Sequence, residues 1–333
     1  DLQAVADALA AGGGGARIAS HPAARPLRIA WALPDPAPKV SIIIPVRDRA
    51  DLLRACLEGI FRRTDYPDFE VIVVDNGSTE PALHALLAEW SADPRLRVMP
   101  APGPFNYAAL NNRAADVARG EVLLLLNNDT EVRHPEWLRE MTALAVRPDV
   151  GAVGARLLYP DETIQHAGVV LGVGGVAGHD FAFADLQDAG PQDELRLVRT
   201  VSAVTAACLA VRRESYHGVG GLDEVRFRVA YNDVDFCLKL RRAGLRNLVT
   251  PHAELLHRES VSRGNEFSPA RRARWDGERR AMQAAWGAAL DADPFFSPML
   301  SLTPPFRRLA DPPRATLPWR DASPGKASAP RRA

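Results

Sequence analysis

The sequence predicts an α/β protein built on a doubly wound, mainly parallel sheet, and three observations carry that prediction. Apolar runs of strand length alternate with amphipathic stretches of helix length from residue 40 to residue 130, the pattern that puts helices on both faces of a sheet. The runs are apolar throughout rather than alternating, as strands buried on both faces are. Three of them end in polar, turn-forming residues that include an acid, Asp48, Asp75 or Asp129. Ligands of open α/β sheets collect just outside those carboxyl ends.

Residues 1–38 open with an Ala-rich helical stretch, pass through a glycine run at 12–15 and close on Pro34, Pro36 and Pro38. That is the chemistry of an N-terminal extension or linker. Val40-Ser41-Ile42-Ile43-Ile44-Pro45-Val46 is the first core strand, with Pro45 near its end because proline cannot donate to a ladder. Residues 51–63 form a helix whose Leu52, Leu53, Cys56, Leu57, Ile60 and Phe61 recur at helical spacing. A second strand over 69–74 ends in Asp75, a helix follows over 81–90, and a third strand over 96–99. Asn106 opens a helix that runs toward Gly120. Four consecutive leucines, Leu123 to Leu126, then make a buried strand that stops in Asn127-Asn128-Asp129.

Taken alone, Asp129 reads equally as the cap of the helix near Pro135 or as a carboxylate suited to a hard cation and its phosphates. Helix capping competes in the same way for Asp75. No Gly-x-Gly-x-x-Gly or Gly-Lys-Ser/Thr follows the first strand, which argues against a dinucleotide-binding domain and a P-loop.

Beyond a helix over 136–146, the pattern changes. A strand is expected over 151–158, a Gly-rich extended segment over 168–176, a polar loop over 180–194, and one strand over 201–211. The small residues of that last strand imply close approach by another backbone or a ligand. Residues 231–242 read as a helix with Phe236, Leu240 and Ala243 on its buried stripe, ended by Gly244. Asp233 and Asp235 fall in its first turn, where the helix dipole favours acids. Two residues apart, they cannot share a face, so one is expected to serve a site and the other the fold. A strand over 246–250 precedes His257, and Arg258 and Arg263 follow in a basic loop able to neutralise a phosphate. A helix over 271–286 is cationic on its outer face, which fits either a solvated surface or contact with an anionic membrane. From residue 301 Pro, Ser and Arg dominate, the composition of a disordered tail.

The 333 residues are 47% hydrophobic and 25% charged, and Lys plus Arg equals Asp plus Glu at 41 each. Zero net charge excludes the global field of a nucleic-acid binder. Cys56, Cys208 and Cys237 are odd in number and far apart, which fits reduced, buried thiols rather than a disulfide framework. No apolar run reaches the roughly 18–20 residues that span a bilayer, and no signal peptide is visible. A cytoplasmic location is expected, with peripheral contact at the inner face of the plasma membrane left open. The start at Asp1 without methionine fits a piece of a longer polypeptide with further domains.

The succession Val40–Asp48, Val74–Thr79, Asn106–Asn112, Gly120–Thr130, Val201–Arg213, Gly220–Glu224, Asn232–Gly244 and His257–Gly264 resembles family-2 glycosyltransferases of the GT-A fold. It covers about residues 39–300. The stretches Ile164-Gln165-His166-Ala167-Gly168 and Val229-Ala230-Tyr231-Asn232-Asp233-Val234-Asp235 resemble the bacterial branch that builds O-antigen and other surface polysaccharides. The resemblance implies a Rossmann-like mixed sheet of mainly parallel strands flanked by helices, with an acceptor-side subregion. It implies a nucleotide-binding half at 39–130, an acceptor and catalytic half at 131–265, a C-terminal helix at 266–300 and a tail at 301–333.

Carried over residue by residue, the resemblance implies donor binding by Pro45, Val46, Asp48 and Asp75, with Asn106, Asn127, Asn128 and Arg263 completing that side. It implies Asp233 as general base, Mg²⁺ or Mn²⁺ held by Asp129 with His257, and His166 and Asp235 on the acceptor side. Asn127 departs from the family's Asp-x-Asp by replacing its first carboxylate, and Asn232 replaces a usual glutamate. The implied reaction is an inverting, metal-dependent transfer from a UDP- or dTDP-sugar, rather than a GDP-sugar, to a saccharide or lipid-linked acceptor. Two alternatives stay open: a nucleotidyltransferase, although Val46-Arg47-Asp48-Arg49 lacks its glycines, and a non-catalytic sugar- or nucleotide-binding module of a larger protein.

Overall fold

The first predicted strand lies inside a ten-stranded sheet with all seven of its residues buried. The structure, a computed structural model, describes residues 2–11, 15–19, 26–258, 268–303 and 307–315. In chain order the strands are β1 (Ala16–Ile18), β2 (Ile29–Trp31), β3 (Val40–Val46), β4 (Phe69–Asp75), β5 (Leu96–Pro100), β6 (Val122–Leu126) and β7 (Thr130–Val132). They continue as β8 (Val150–Leu158), β9 (Ile164–His166), β10 (Val169–Leu171), β11 (Ala177–His179), β12 (Arg199–Val201), β13 (Cys208–Arg212) and β14 (Arg246–His257). The helices are α1 (Leu2–Ala11), α2 (Ala50–Arg63), α3 (Pro81–Trp90), α4 (Tyr107–Val117), α5 (Trp137–Ala145), α6 (Arg213–Gly218), α7 (Asn232–Arg242) and α8 (Pro269–Asp291).

The main sheet runs β12-β14-β8-β13-β6-β3-β4-β5, with β7 paired to β14 and β9 to β8. Strands β3, β4, β5 and β6 are mutually parallel. Strand β13 is antiparallel to both β6 and β8, so the sheet is mixed. Because β13 comes from far along the chain, the two halves interleave.

Alternation along the strands divides the core. Ile42, Ile44, Leu124 and Leu126 face α2 and α5, while Ile43, Leu123 and Leu125 face α4 and α7. Each buried side chain of this kind contributes about 1.5–3 kcal/mol, against roughly 0–1 for a surface ion pair. Register is therefore set by the alternation, not by the surface charges.

Several expectations are revised. The segment expected as one strand over 201–211 is two, β12 at the sheet's far side and β13 near its middle, joined by 202–207. That join passes so close to β8 that a Cβ on Gly154 would meet Val204 at 2.6 Å. Strand β14 continues past Thr250 through a register shift to His257, so His257 ends a strand. The Gly-rich segment forms the hairpin β10–β11, and Ala243 is exposed. Part of the N-terminal extension packs on the domain: the Arg147 guanidinium lies 3.5 Å over Trp31. Part of the expected tail is held as well. Arg307 stacks 3.7 Å over Phe181 and donates to Asp180 and Glu194, each at 2.8 Å. All three cysteines are buried and free.

Candidate functional site

A cavity of about 210 Å³ opens where β6, the 202–207 segment, the start of α7 and the end of β14 meet, and its walls include Asn127, Thr205, Ala206, Asn232, Asp233 and His257. The interleaved sheet makes it. Leu126 pairs with Cys208, and the Asn127 N–H donates to the Ala207 carbonyl at 2.9 Å, so the end of β6 abuts the start of β13.

The turn at 127–129 is fastened to β14 from its other side. His257 pairs with Thr130, and the Arg258 N–H donates to the Asp129 carbonyl at 2.9 Å. This brings His257 Nε2 to 3.1 Å from Asp129 Oδ1 and 3.1 Å from Asn127 Nδ2. Asp129 and His257 are both buried, while Asn127 and Asn128 are half-buried. Among the described residues no group of three or more His, Cys, Asp or Glu side chains gathers as a metal cage. Two potential ligands, one oxygen and one nitrogen, do converge.

Asp233 reaches the cavity from the first turn of α7. Its Oδ2 accepts from the Ala206 N–H at 3.1 Å and its Oδ1 from the Val234 N–H at 2.8 Å. Tyr231 at the N-cap sits in the left-handed region, φ 61°, a conformation costly for a bulky residue and met most often at functional sites. Helix α8 supports this loop: Glu278 accepts from the Val229 and Ala230 N–H groups at 3.2 and 2.8 Å. Asn232 is buried and donates to the Val229 carbonyl at 2.8 Å.

Asp235, expected on the acceptor side, is not there. Two residues along a helix turn it about 200° away. It is fully buried, accepting from Trp286 Nε1 at 2.8 Å beside Lys239 at 3.2 Å. His166 is also displaced from its expected role. It is fully buried behind the wall, receives the Thr205 N–H at 3.4 Å and packs edge-on to His179 at 4.8 Å. Burial holds its imidazole well below the usual histidine range. His179, on β11, lines the cavity instead.

The donor-side residues expected from the first half are placed differently. Asp48 Oδ1 accepts from the Thr79 and Glu80 N–H groups at 2.7 and 2.9 Å. Those two bonds hold its carboxyl below the usual range. Its own N–H donates to Ser78 Oγ at 2.9 Å, and Asp48 and Arg49 are both left-handed, φ 56° and 62°. Asp75 accepts from the Ser78 N–H at 2.9 Å. Pro45 and Val46 are buried within β3. Asn106 caps α4 through the Ala109 N–H at 3.1 Å and donates to the Glu224 carbonyl at 2.9 Å. None of these five lines the cavity; Asp48 and Asp75 tie the exit loops of β3 and β4 together. Arg263 lies outside the described residues.

Sequence reasoning does not single out Gln165, His179 or Thr205, although the last two fall in the segments 168–194 and 201–207 expected on the acceptor side. Gln165 is buried in the three-residue strand β9, and its Oε1 lies 2.5 Å from His257 Nδ1.

Comparison with known proteins adds three findings. The model of glycosyl transferase family 2 matches residues 41–216. The chain is 50% identical over 280 residues to the uncharacterized protein y4gI of Sinorhizobium fredii, covering 83% of this chain and 30% of that protein. It is 42% identical over 305 residues to the O-antigen biosynthesis protein RfbC of Myxococcus xanthus, covering 91% and 23%. The chain thus spans less than a third of the length of these relatives. Two solved structures share the fold. One is a mannosyltransferase from Pyrobaculum calidifontis in complex with GDP-Man and Mn²⁺, with TM-score 0.51, 19% identity and 76% of each chain covered. The other is GalNAc-T7 with UDP, GalNAc and Mn²⁺, with TM-score 0.59, 15% identity and coverage of 77% of this chain and 51% of that one.

Proposed function

The chain belongs to glycosyl transferase family 2, and on that premise we propose an inverting, metal-dependent transfer of a sugar from a nucleoside diphosphate to a saccharide or lipid-linked hydroxyl. The observation that carries this reading is the meeting of Asp233 with Asn127 and His257 in one cavity. Among the described residues that line it, Asp233 is the only carboxylate. A single carboxylate suits one displacement, whereas double displacement needs a second as nucleophile.

In that displacement Asp233 takes the proton of the acceptor hydroxyl as its oxygen bonds to C1 of the sugar. The bond from C1 to the diphosphate oxygen breaks with both its electrons, and the anomeric centre inverts. The carboxylate is aimed by the Ala206 and Val234 N–H groups, so little reorientation is required at the moment of transfer.

The residues fit a divalent cation. The Asp129 carboxylate suits Mn²⁺ or Mg²⁺, the His257 imidazole 3.1 Å away suits Mn²⁺ better than Mg²⁺, and two protein ligands would leave places for diphosphate oxygens and water. When bound, such an ion stabilises the charge that develops on the leaving diphosphate. Asp129 and His257 would hold it, with Asn127 beside them. Asn128 and Arg263 are assigned to the donor, and UDP- and dTDP-sugars are the first candidates. The similarity to RfbC supports a place in bacterial surface-polysaccharide synthesis, and the cytoplasm or the inner face of the plasma membrane is where we place that activity.

The test is release of nucleoside diphosphate from a panel of UDP-, dTDP- and GDP-sugars with Mn²⁺, Mg²⁺ or EDTA. Release from one class of donor, abolished by EDTA and restored by either ion, is expected. Full release in EDTA would remove the metal from this account, and a product of retained anomeric configuration would remove the single displacement.

A further inference from the structure

We propose that Gln165 is a positioning residue that fixes the tautomer of His257 and presents its Nε2 lone pair toward Asp129. This rests on the reading above that Asp129 and His257 hold a divalent cation.

The argument begins with the hydrogen-bond inventory. Gln165 is 1% exposed and touches His257 at two points. Its Nε2 donates to the His257 backbone carbonyl at 3.3 Å, and its Oε1 lies 2.5 Å from His257 Nδ1. A carbonyl can only accept, so the amide NH₂ must face it, and this decides which way round the amide sits. The amide oxygen is thereby left at Nδ1, and it too can only accept. Nδ1 must carry the hydrogen, and in the neutral ring Nε2 then carries the lone pair. Nε2 is the atom that receives Asn127 Nδ2–H and lies beside Asp129 Oδ1.

The same residue acts on a second imidazole. The Gln165 backbone carbonyl lies 2.9 Å from His179 Nδ1, so that ring too carries its hydrogen on Nδ1. One residue of β9 therefore sets both histidines of the cavity wall. A residue that only filled space would not match both ends of its amide to His257. Partners of this kind behind a ligating histidine typically change metal affinity 10–100-fold when removed.

The test uses the metal-free protein labelled with ¹⁵N-histidine, with the His257 resonances assigned by comparison with His257→Ala. Long-range ¹H–¹⁵N spectra at pH 8 should show His257 with hydrogen on Nδ1. In Gln165→Leu the other tautomer should appear, and Mn²⁺ affinity in the presence of UDP, read by electron paramagnetic resonance of free Mn²⁺, should fall about 10–100-fold. Gln165→Glu keeps an acceptor at Nδ1 and should retain the wild-type tautomer. An Nε2–H tautomer in the wild type would overturn the proposal. So would a folded Gln165→Leu protein with unchanged tautomer and Mn²⁺ affinity. Should Gln165→Leu fail to fold, the wild-type and Gln165→Glu spectra decide the tautomer by themselves. A wild type with Nδ1–H that binds no Mn²⁺ contradicts the cation reading and leaves the tautomer assignment standing.

Discussion

In the parallel half of the sheet, the acids at strand ends bind neighbouring loops; in the mixed half polar side chains bind across the fold. Asp48 holds the N–H groups of Thr79 and Glu80, and Asp75 that of Ser78, while Asn106 caps α4 at Ala109 and also reaches the Glu224 carbonyl. These bonds shape exit loops and cap helices. By contrast, His257 meets Gln165 from 92 residues away and Asn127 from 130, and the 202–207 segment connects them to Asp233. An acid at the end of a strand is thus as ready a fastener for the next loop as a ligand. What separates the two roles here is whether the side chain lines the cavity, as Asp233 does, or touches a side chain that lines it, as Asp129 touches His257.

Substitutions in the two halves should accordingly fail in different ways. Asp129→Asn and His257→Ala should each lower nucleoside diphosphate release by about 10²–10³ at fixed Mn²⁺, since they act on transition-state charge. Their unfolding midpoints should change far less than their rates. Asp48→Ala should do the reverse. Losing the acceptor for two backbone N–H groups costs about 1–3 kcal/mol, read by urea unfolding, with turnover at saturating donor changed by only a few-fold. Inactivation by Asp48→Ala without loss of stability would break the comparison.

Glu278 in α8 tests whether the Asp233 loop needs its support. Glu278→Ala leaves two part-buried N–H groups without their acceptor and should cost about 1–2 kcal/mol. Turnover should fall while the donor KM stays near the wild-type value, because Glu278 meets the base loop and not the donor side. An increased donor KM with unchanged turnover would contradict that.

Smaller effects should appear in pH and in thiol chemistry. Burial lowers His252 from 6.5 to about 4 and holds His166 lower than usual. These rings are neutral in the fold and gain protons on unfolding, so their stabilisation is complete above pH 6.5 and is lost as pH falls toward 4. Discounted for partial exposure, His252 alone should lose about 1 kcal/mol between pH 7.5 and 5. Asp48, held below 3.8 by its backbone bonds, adds to the loss only as pH falls below that value. Urea unfolding at the two pH values checks this, and His252→Asn should flatten the difference. Burial also pushes the Cys56 thiol up to about 12 and raises Cys208 and Cys237. A thiolate-directed reagent should label none of the three until the protein unfolds.

Much of this contrast was legible in the sequence, and for a physical reason. The strands of the parallel half are continuous apolar runs whose turn residues follow at once, so Val40–Val46 and Pro81–Trp90 fall where expected. The membership in family 2 over residues 41–216 sets aside the nucleotidyltransferase reading. The mixed half was less legible because its pairings are long-range. Nothing local announces that 202–207 leaves the edge strand β12 to become β13, nor that β14 continues through a register shift. Helical periodicity puts Asp233 and Asp235 on different faces, yet which of them faces the cavity depends on the register of α7 against Trp286 and Ala206. At Asn106 a helix cap and a ligand require the same side chain at the same place, and the structure shows the cap.

The most direct test of the central claim is Asp233→Asn, measured for binding and turnover in parallel. The account predicts that Mn²⁺-dependent binding of UDP or dTDP stays within about threefold of wild type while sugar transfer falls by about 10²–10⁴, the contribution of a general base. Transfer at the wild-type rate, or loss of nucleotide binding together with transfer, would contradict it.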